Sequence, residues 1–265
     1  KKETDFGHRL KQIFVIAFSI VTVFSQNWVK KINNKYSKAV VAIETDLGVS
    51  GSGFNIEKTG LIVTNYHVVE GASSIFVNFS SGKQFRAQYY DFVDQNKDFV
   101  LLQIKGRNLP LARMGNSNLL EIGDEVLAIG NPLFQERSVT KGIISQIRVF
   151  SEIGKMIQTD TYIGRGSSGG PLFNKKQNVI GITTAGFDNS SLNFAVPIEY
   201  IKRAHKLKSQ NTRKEIGFDI KYVQRRAAQP SNVNSNTTND DLDGLAAIFV
   251  LYLTYLLVDW TVSLF

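Results

Sequence analysis

Between Lys38 and Tyr200 the chain is cut into short runs of β-branched and aromatic residues, and this punctuation constrains the fold more than any other feature. Residues 40–45, 52–56, 61–64, 75–79, 85–90 and 99–104 read as strands, followed by 125–129, 138–147, 156–159, 179–184 and 193–196. Turn residues separate them, as in Lys58-Thr59-Gly60, Ser81-Gly82 and Asn116-Ser117-Asn118. Strands at this spacing, with little helix between them, imply an all-β barrel or sandwich. One helix over 198–208 closes the region after Pro197, with Ile198, Ile201, Ala204 and Leu207 on one side and basic residues on the other.

The chain has 265 residues, enough to bury a substantial core, and no cysteine, so disulfides and thiolate sites are excluded. Its net charge of +8 is unevenly placed. Residues 1–38 hold eight Lys/Arg against two Asp/Glu, and 202–226 hold nine against two, around a near-neutral body. A nucleic-acid groove would put the charge on the body, so nucleic acid is not the expected partner. Basic flanks beside apolar ends fit an anionic membrane surface better. Residues 13–24 are apolar behind a basic lead, the pattern of a signal peptide or signal anchor. Residues 209–244 are polar and Asn-rich and read as a linker, and the apolar stretch 245–265 as a C-terminal membrane anchor. The expected organisation is a leader over 1–37, a folded domain over 38–208, a linker and an anchor, in an exported, membrane-associated protein.

Three places in the body carry residue types that work together. The apolar run Leu61-Ile62-Val63-Thr64 leads through Asn65-Tyr66 into His67, which places an imidazole at a rigid strand end. Asp98 opens the run Phe99–Ile104, and a carboxylate there can accept the far N–H of an imidazole and fix its tautomer. Ser168 lies in Gly166-Ser167-Ser168-Gly169-Gly170-Pro171-Leu172, where glycines permit a turn tight enough to present a hydroxyl and aim backbone N–H groups at a carbonyl oxygen. His8 lies in the basic leader and His205 in the closing helix, which leaves His67 as the base of the body.

Together, Thr64-Asn65-Tyr66-His67-Val68-Val69, Asp98-Phe99-Val100-Leu101-Leu102 and Thr159-Asp160 through Gly166–Leu172 resemble the HtrA/Deg branch of the trypsin-like serine proteases. Gly51-Ser52-Gly53-Phe54, Ala128-Ile129-Gly130-Asn131-Pro132 and Asn193-Phe194-Ala195-Val196-Pro197 add to the resemblance, which spans about residues 39–203. It implies a chymotrypsin/trypsin-like double β-barrel with a C-terminal helix. One barrel would run to about Leu109 and supply His67 and Asp98; the second would supply Ser168. It implies a serine endopeptidase with Ser168 as nucleophile, His67 as base, Asp98 orienting it, and the N–H groups of Gly166 and Ser168 as oxyanion hole. The alternative is a pseudoprotease that binds peptides or a partner without turnover.

Tyr162 would lie near the floor of the primary pocket, with Thr183, Thr184, Ala185 and Asn193 as walls. The absence of a carboxylate there argues against cleavage after Lys or Arg. The family's usual Asn-Pro-Gly-Asn is replaced by Gly164-Arg165-Gly166-Ser167, which bears on how the Gly166 N–H is presented. The sequence after the body leaves no room for a PDZ domain, so a protease of this branch lacking one is expected. Protein or peptide substrates are implied, trimers are common in the resembled family, and no metal or organic cofactor is indicated.

Overall fold

The computed structural model describes residues 28–131, 138–164, 166–184, 193–207 and 214–216, all within one unit of the chain, Lys1–Asp219. Six antiparallel strands make the first barrel: β1 (Val40–Thr45), β2 (Ser50–Asn55), β3 (Leu61–Thr64), β4 (Ile75–Phe79), β5 (Gln84–Asp94) and β6 (Phe99–Ile104). They run in the order β5-β4-β1-β2-β3-β6, and the ring closes because β5 also pairs with β6. Strand β5 serves two partners by being long and irregular. Its start pairs with β4 (Phe76↔Arg86) and its end with β6 (Asp94↔Phe99), with register shifts at Ala87/Tyr89 and Tyr90/Phe92 that bend it around the corner.

The second barrel comprises β7 (Glu125–Gly130), β8 (Ser138–Phe150), β9 (Gly154–Thr159), β10 (Pro171–Asn174), β11 (Val179–Thr184) and β12 (Asn193–Pro197), closed in the order β10-β11-β12-β9-β8-β7. Strand β10 is hidden in the sequence behind the glycine-rich motif and a proline. Pro171 is tolerated because it is the strand's first residue, where a missing N–H matters least.

The apolar runs are continuous because several strands are buried on both faces. On β3, Ile62 points into barrel one, while Leu61 and Val63 join a larger cluster shared with Leu127, Ile129 and Phe173 of barrel two. On β6, Val100 and Leu102 face inward, and Phe99 and Leu101 join the shared cluster. Each such side chain stabilises the fold by about 1.5–3 kcal/mol relative to exposure.

Two boundaries differ from the sequence reading. Residues 28–36 form a helix, α1, rather than the end of a leader. Trp28, Ile32 and Tyr36 recur every four residues, all are buried, and Tyr36 stacks on Phe173 with ring centroids 5.3 Å apart. After α2 (Ile198–Leu207), which buries Ile198, Ile201 and Ala204, the chain does not simply become linker. Lys214–Glu215 form β13 and pair with Tyr90 and Tyr89 of β5, and Ile216 is buried in barrel one. His205 of α2 places Nε2 2.6 Å from Glu57 Oε1, tying the helix to the β2–β3 turn. Of the expected leader over 1–37, residues 1–27 lie outside the described residues, as do most of the expected linker over 209–244 and all of the expected anchor over 245–265. Among the described residues no helix is long and apolar enough to cross a membrane.

Candidate active site

The β3/β6 register, Thr64↔Val100, brings the segment after β3 beside the residue before β6, so His67 and Asp98 meet at one end of barrel one. His67 Nδ1 lies 2.7 Å from Asp98 Oδ2. A carboxylate only accepts, so Nδ1 carries the proton and Nε2 is left as the basic nitrogen. The His67 backbone N–H donates to Asp98 Oδ1 at 2.9 Å, and the Thr184 hydroxyl donates to Oδ2 at 3.3 Å. Asp98 itself sits at φ +54, a conformation rare outside glycine. The side-chain amide of fully buried Asn65 holds it there, donating to the Asp98 carbonyl at 2.8 Å.

Two phenols of barrel one stay protonated at neutral pH, Tyr66 next to His67 in the chain and Tyr90, whose hydroxyl lies 3.4 Å from the Val69 carbonyl. Tyr66 is pushed up by burial and then by the charge of Glu70; its hydroxyl accepts from Gln95 Nε2 at 2.9 Å. Tyr90 is pushed up to about 12, mainly by burial, with Tyr66 and Asp46 adding to it.

The serine turn between β9 and β10 is built almost wholly from backbone. Ser167 N–H donates to the Gly164 carbonyl at 3.0 Å, Gly169 N–H to Thr183 at 2.8 Å and Gly170 N–H to Ser167 at 3.1 Å. The N–H groups of Gly166 and Ser168 make no hydrogen bond among the described residues. Gly166 and Gly169 have φ of +79 and +89. At Gly169 a Cβ would collide with the Ser52 carbonyl and the Thr64 hydroxyl, so the turn presses directly against barrel one. Of the two adjacent serines, both nearly buried, Ser167 points away: its Oγ is 3.4 Å from Ser138 Oγ and faces Gly130.

The residues expected to wall the primary pocket do different things. Thr183 Oγ1 donates to the carbonyls of Ser167 (2.9 Å) and Gly170 (3.1 Å), bracing the serine turn. Thr184 reaches Asp98, as above. Asn193 Nδ2 donates to the Thr161 carbonyl at 3.0 Å and so borders the 161–164 segment. Tyr162 is not an enclosed floor: it is 72% exposed, with its carbonyl held by Thr140 Oγ1 at 2.7 Å. The family resemblance implied a place near the pocket floor, and its ring lies over Gly164. Ala185 and Arg165 lie outside the described residues. Sequence reasoning missed the roles of Asn65, Thr184 and Ser52, although all three stood in motifs with polar residues among apolar ones.

Two closed six-stranded barrels, with a His–Asp pair on one and a glycine-flanked serine turn of the other pressed against it, define the trypsin-like class. Residues 51–182 match the family model of the trypsin-like peptidase domain. The probable periplasmic serine endoprotease DegP-like of Pseudomonas savastanoi pv. phaseolicola is 40% identical over 189 residues, 68% of this chain and 39% of that protein. The crystal structure of Deg5 is 33% identical with a TM-score of 0.62, covering 70% of this chain and 96% of that one. The HtrA-type protease AlgW, solved with a tripeptide, is 32% identical with a TM-score of 0.63, covering 69% of this chain and 64% of that one. The chain belongs to the HtrA/Deg family of trypsin-like serine proteases. It spans between 38% and 56% of the length of the curated relatives it matches.

Proposed function

We propose that the protein is a serine endopeptidase that hydrolyses peptide bonds in protein substrates through an acyl-enzyme intermediate. One observation carries the reading. The His67–Asp98 pair, joined at 2.7 Å, stands beside a serine turn in which, among the described residues, the Gly166 and Ser168 N–H groups are left without a hydrogen-bond partner. Those are the two donors that an oxyanion at the Ser168 Oγ–acyl carbon would require.

In this mechanism Ser168 Oγ attacks the scissile carbonyl while His67 Nε2 takes its proton. Asp98, fixed by three donors, holds the imidazole in the Nδ1–H tautomer and stabilises the imidazolium. The carbonyl oxygen becomes negative between the Gly166 and Ser168 N–H groups. His67 then gives the proton to the leaving amine, and the same nitrogen activates the water that hydrolyses the acyl-enzyme. The tripeptide bound by AlgW and the periplasmic assignment of the DegP-like relative support an exported enzyme acting on extended polypeptide. Protein quality control outside the cytoplasm, with the apolar ends holding the enzyme near a membrane and a trimer as its assembly, completes the reading.

Casein cleavage by the purified full chain tests it. Wild-type activity should fall by roughly 10⁴–10⁶-fold in Ser168→Ala. A folded wild type that cleaves nothing, or cleavage that survives the substitution, would point to a pseudoprotease or to another nucleophile.

A further inference from the structure

We propose that Ser52, on β2 of barrel one, is a positioning residue that sets the oxyanion geometry of the serine turn in barrel two; the proposal rests on the protease reading above. Ser52 is fully buried, and every polar atom it has is engaged. Its Oγ lies 2.6 Å from the Gly166 carbonyl oxygen and 2.8 Å from the Asn131 backbone nitrogen. An N–H can only donate, so the Asn131 amide takes the acceptor side of the hydroxyl and the Ser52 proton goes to Gly166. The Ser52 N–H donates to the Ser168 carbonyl at 2.8 Å. Its own carbonyl accepts the Thr64 hydroxyl at 2.7 Å, three residues before His67.

The two carbonyls gripped by this single residue belong to Gly166 and Ser168, whose own N–H groups make no hydrogen bond among the described residues. Anchoring both carbonyls to one buried residue fixes the span between the two donors and places that span against the strand leading to His67. The Gly51-Ser52-Gly53 pattern follows from this contact. A Cβ at Gly51 would lie 2.8 Å from Val68 and 3.1 Å from the Ser168 carbonyl, and one at Gly53 2.9 Å from the Val63 carbonyl. Glycine on either side lets β2 approach, and the side chain between them makes the grip. Removing its hydroxyl leaves the Gly166 carbonyl and Asn131 N–H without their partner while sparing any residue that touches substrate.

The test compares the full chain with Ser52→Ala and with Ser52→Cys, which keeps volume and a weak donor. A peptide substrate and a peptide boronate are the probes, the latter forming a tetrahedral adduct on Ser168. In Ser52→Ala kcat should fall roughly 10- to 100-fold, less than the roughly 10²–10³ lost with a direct donor, with KM within about 2-fold. Boronate affinity should weaken by the same factor as kcat/KM, and Ser52→Cys should fall between. Wild-type kcat/KM and boronate affinity in a folded Ser52→Ala would overturn the role of Ser52 while leaving the protease reading intact. So would a change confined to KM, or loss of the native circular dichroism spectrum in both variants, which would make Ser52 a folding residue. A folded wild type that neither cleaves nor binds boronate would overturn the protease reading itself.

Discussion

The two barrels contribute to the site in different chemical languages. Barrel one supplies side chains: His67, Asp98 and Asn65 are joined by bonds in which a functional group at one fixed position meets a backbone or carboxylate atom at another. Barrel two supplies backbone: apart from Ser168 itself and the bracing hydroxyl of Thr183, its turn works through carbonyls, N–H groups and glycines with positive φ. The first half should therefore be sensitive to what a side chain can donate or accept. The second should be sensitive to whether there is a side chain at all.

Substitutions can break that contrast. Asp98→Asn keeps size but reverses polarity at the atom facing Nδ1, favouring the wrong tautomer; kcat should fall roughly 10⁴-fold with stability nearly unchanged. Steady-state kinetics beside thermal unfolding measures both, and a loss under 10-fold would deny Asp98 its part. In barrel two the smallest possible addition should do comparable damage. Gly169→Ala forces a Cβ against the Ser52 carbonyl and the Thr64 hydroxyl at φ +89, and should cost roughly 100-fold or more in kcat/KM together with about 2–4 kcal/mol of stability. Gly48 has a similar φ of +76 but nothing within 4 Å of a Cβ. Gly48→Ala should therefore lose only about 1 kcal/mol and no activity. Equal effects at the two glycines would show that strain alone, and not the contact between barrels, governs the turn.

The smallest loss of activity expected from a residue of the site is at the seam. Thr184 belongs to β11 of barrel two yet donates to Asp98 at 3.3 Å, a long bond to a carboxylate that already has two closer donors. Thr184→Val should lower kcat about 3- to 10-fold, with little change in KM. No change would confine Thr184 to a packing role.

The contrast also explains what was legible in the sequence. His67 and Asp98 could be read because each terminates or opens a run of apolar residues, and strands buried on both faces write such runs plainly. The serine turn was legible through its glycines. Ser52 looked like a filler between glycines because its meaning lies in partners 79 and 114 residues away. The 72% exposure of Tyr162 was not legible because a family position gives a place along the chain but not the direction of a side chain in a turn. Helix α1 was missed for a different reason. Trp28, Ile32 and Tyr36 make a good apolar stripe, but they follow the apolar run over 13–24 and are separated by lysines and asparagines that suggested a solvated join. β13 is two residues long and has no pattern to detect; only the exposed edge of β5 makes it a strand.

The central claim is that Ser168, and not its equally buried neighbour Ser167, is the activated hydroxyl beside two unspent N–H groups. Treating the folded full chain with a fluorophosphonate and locating the adduct by peptide mass spectrometry tests it most directly. A single phosphonyl group on Ser168, absent when His67 is replaced by alanine, is the predicted result. An adduct on Ser167, labelling indifferent to His67, or no labelling at all would contradict it.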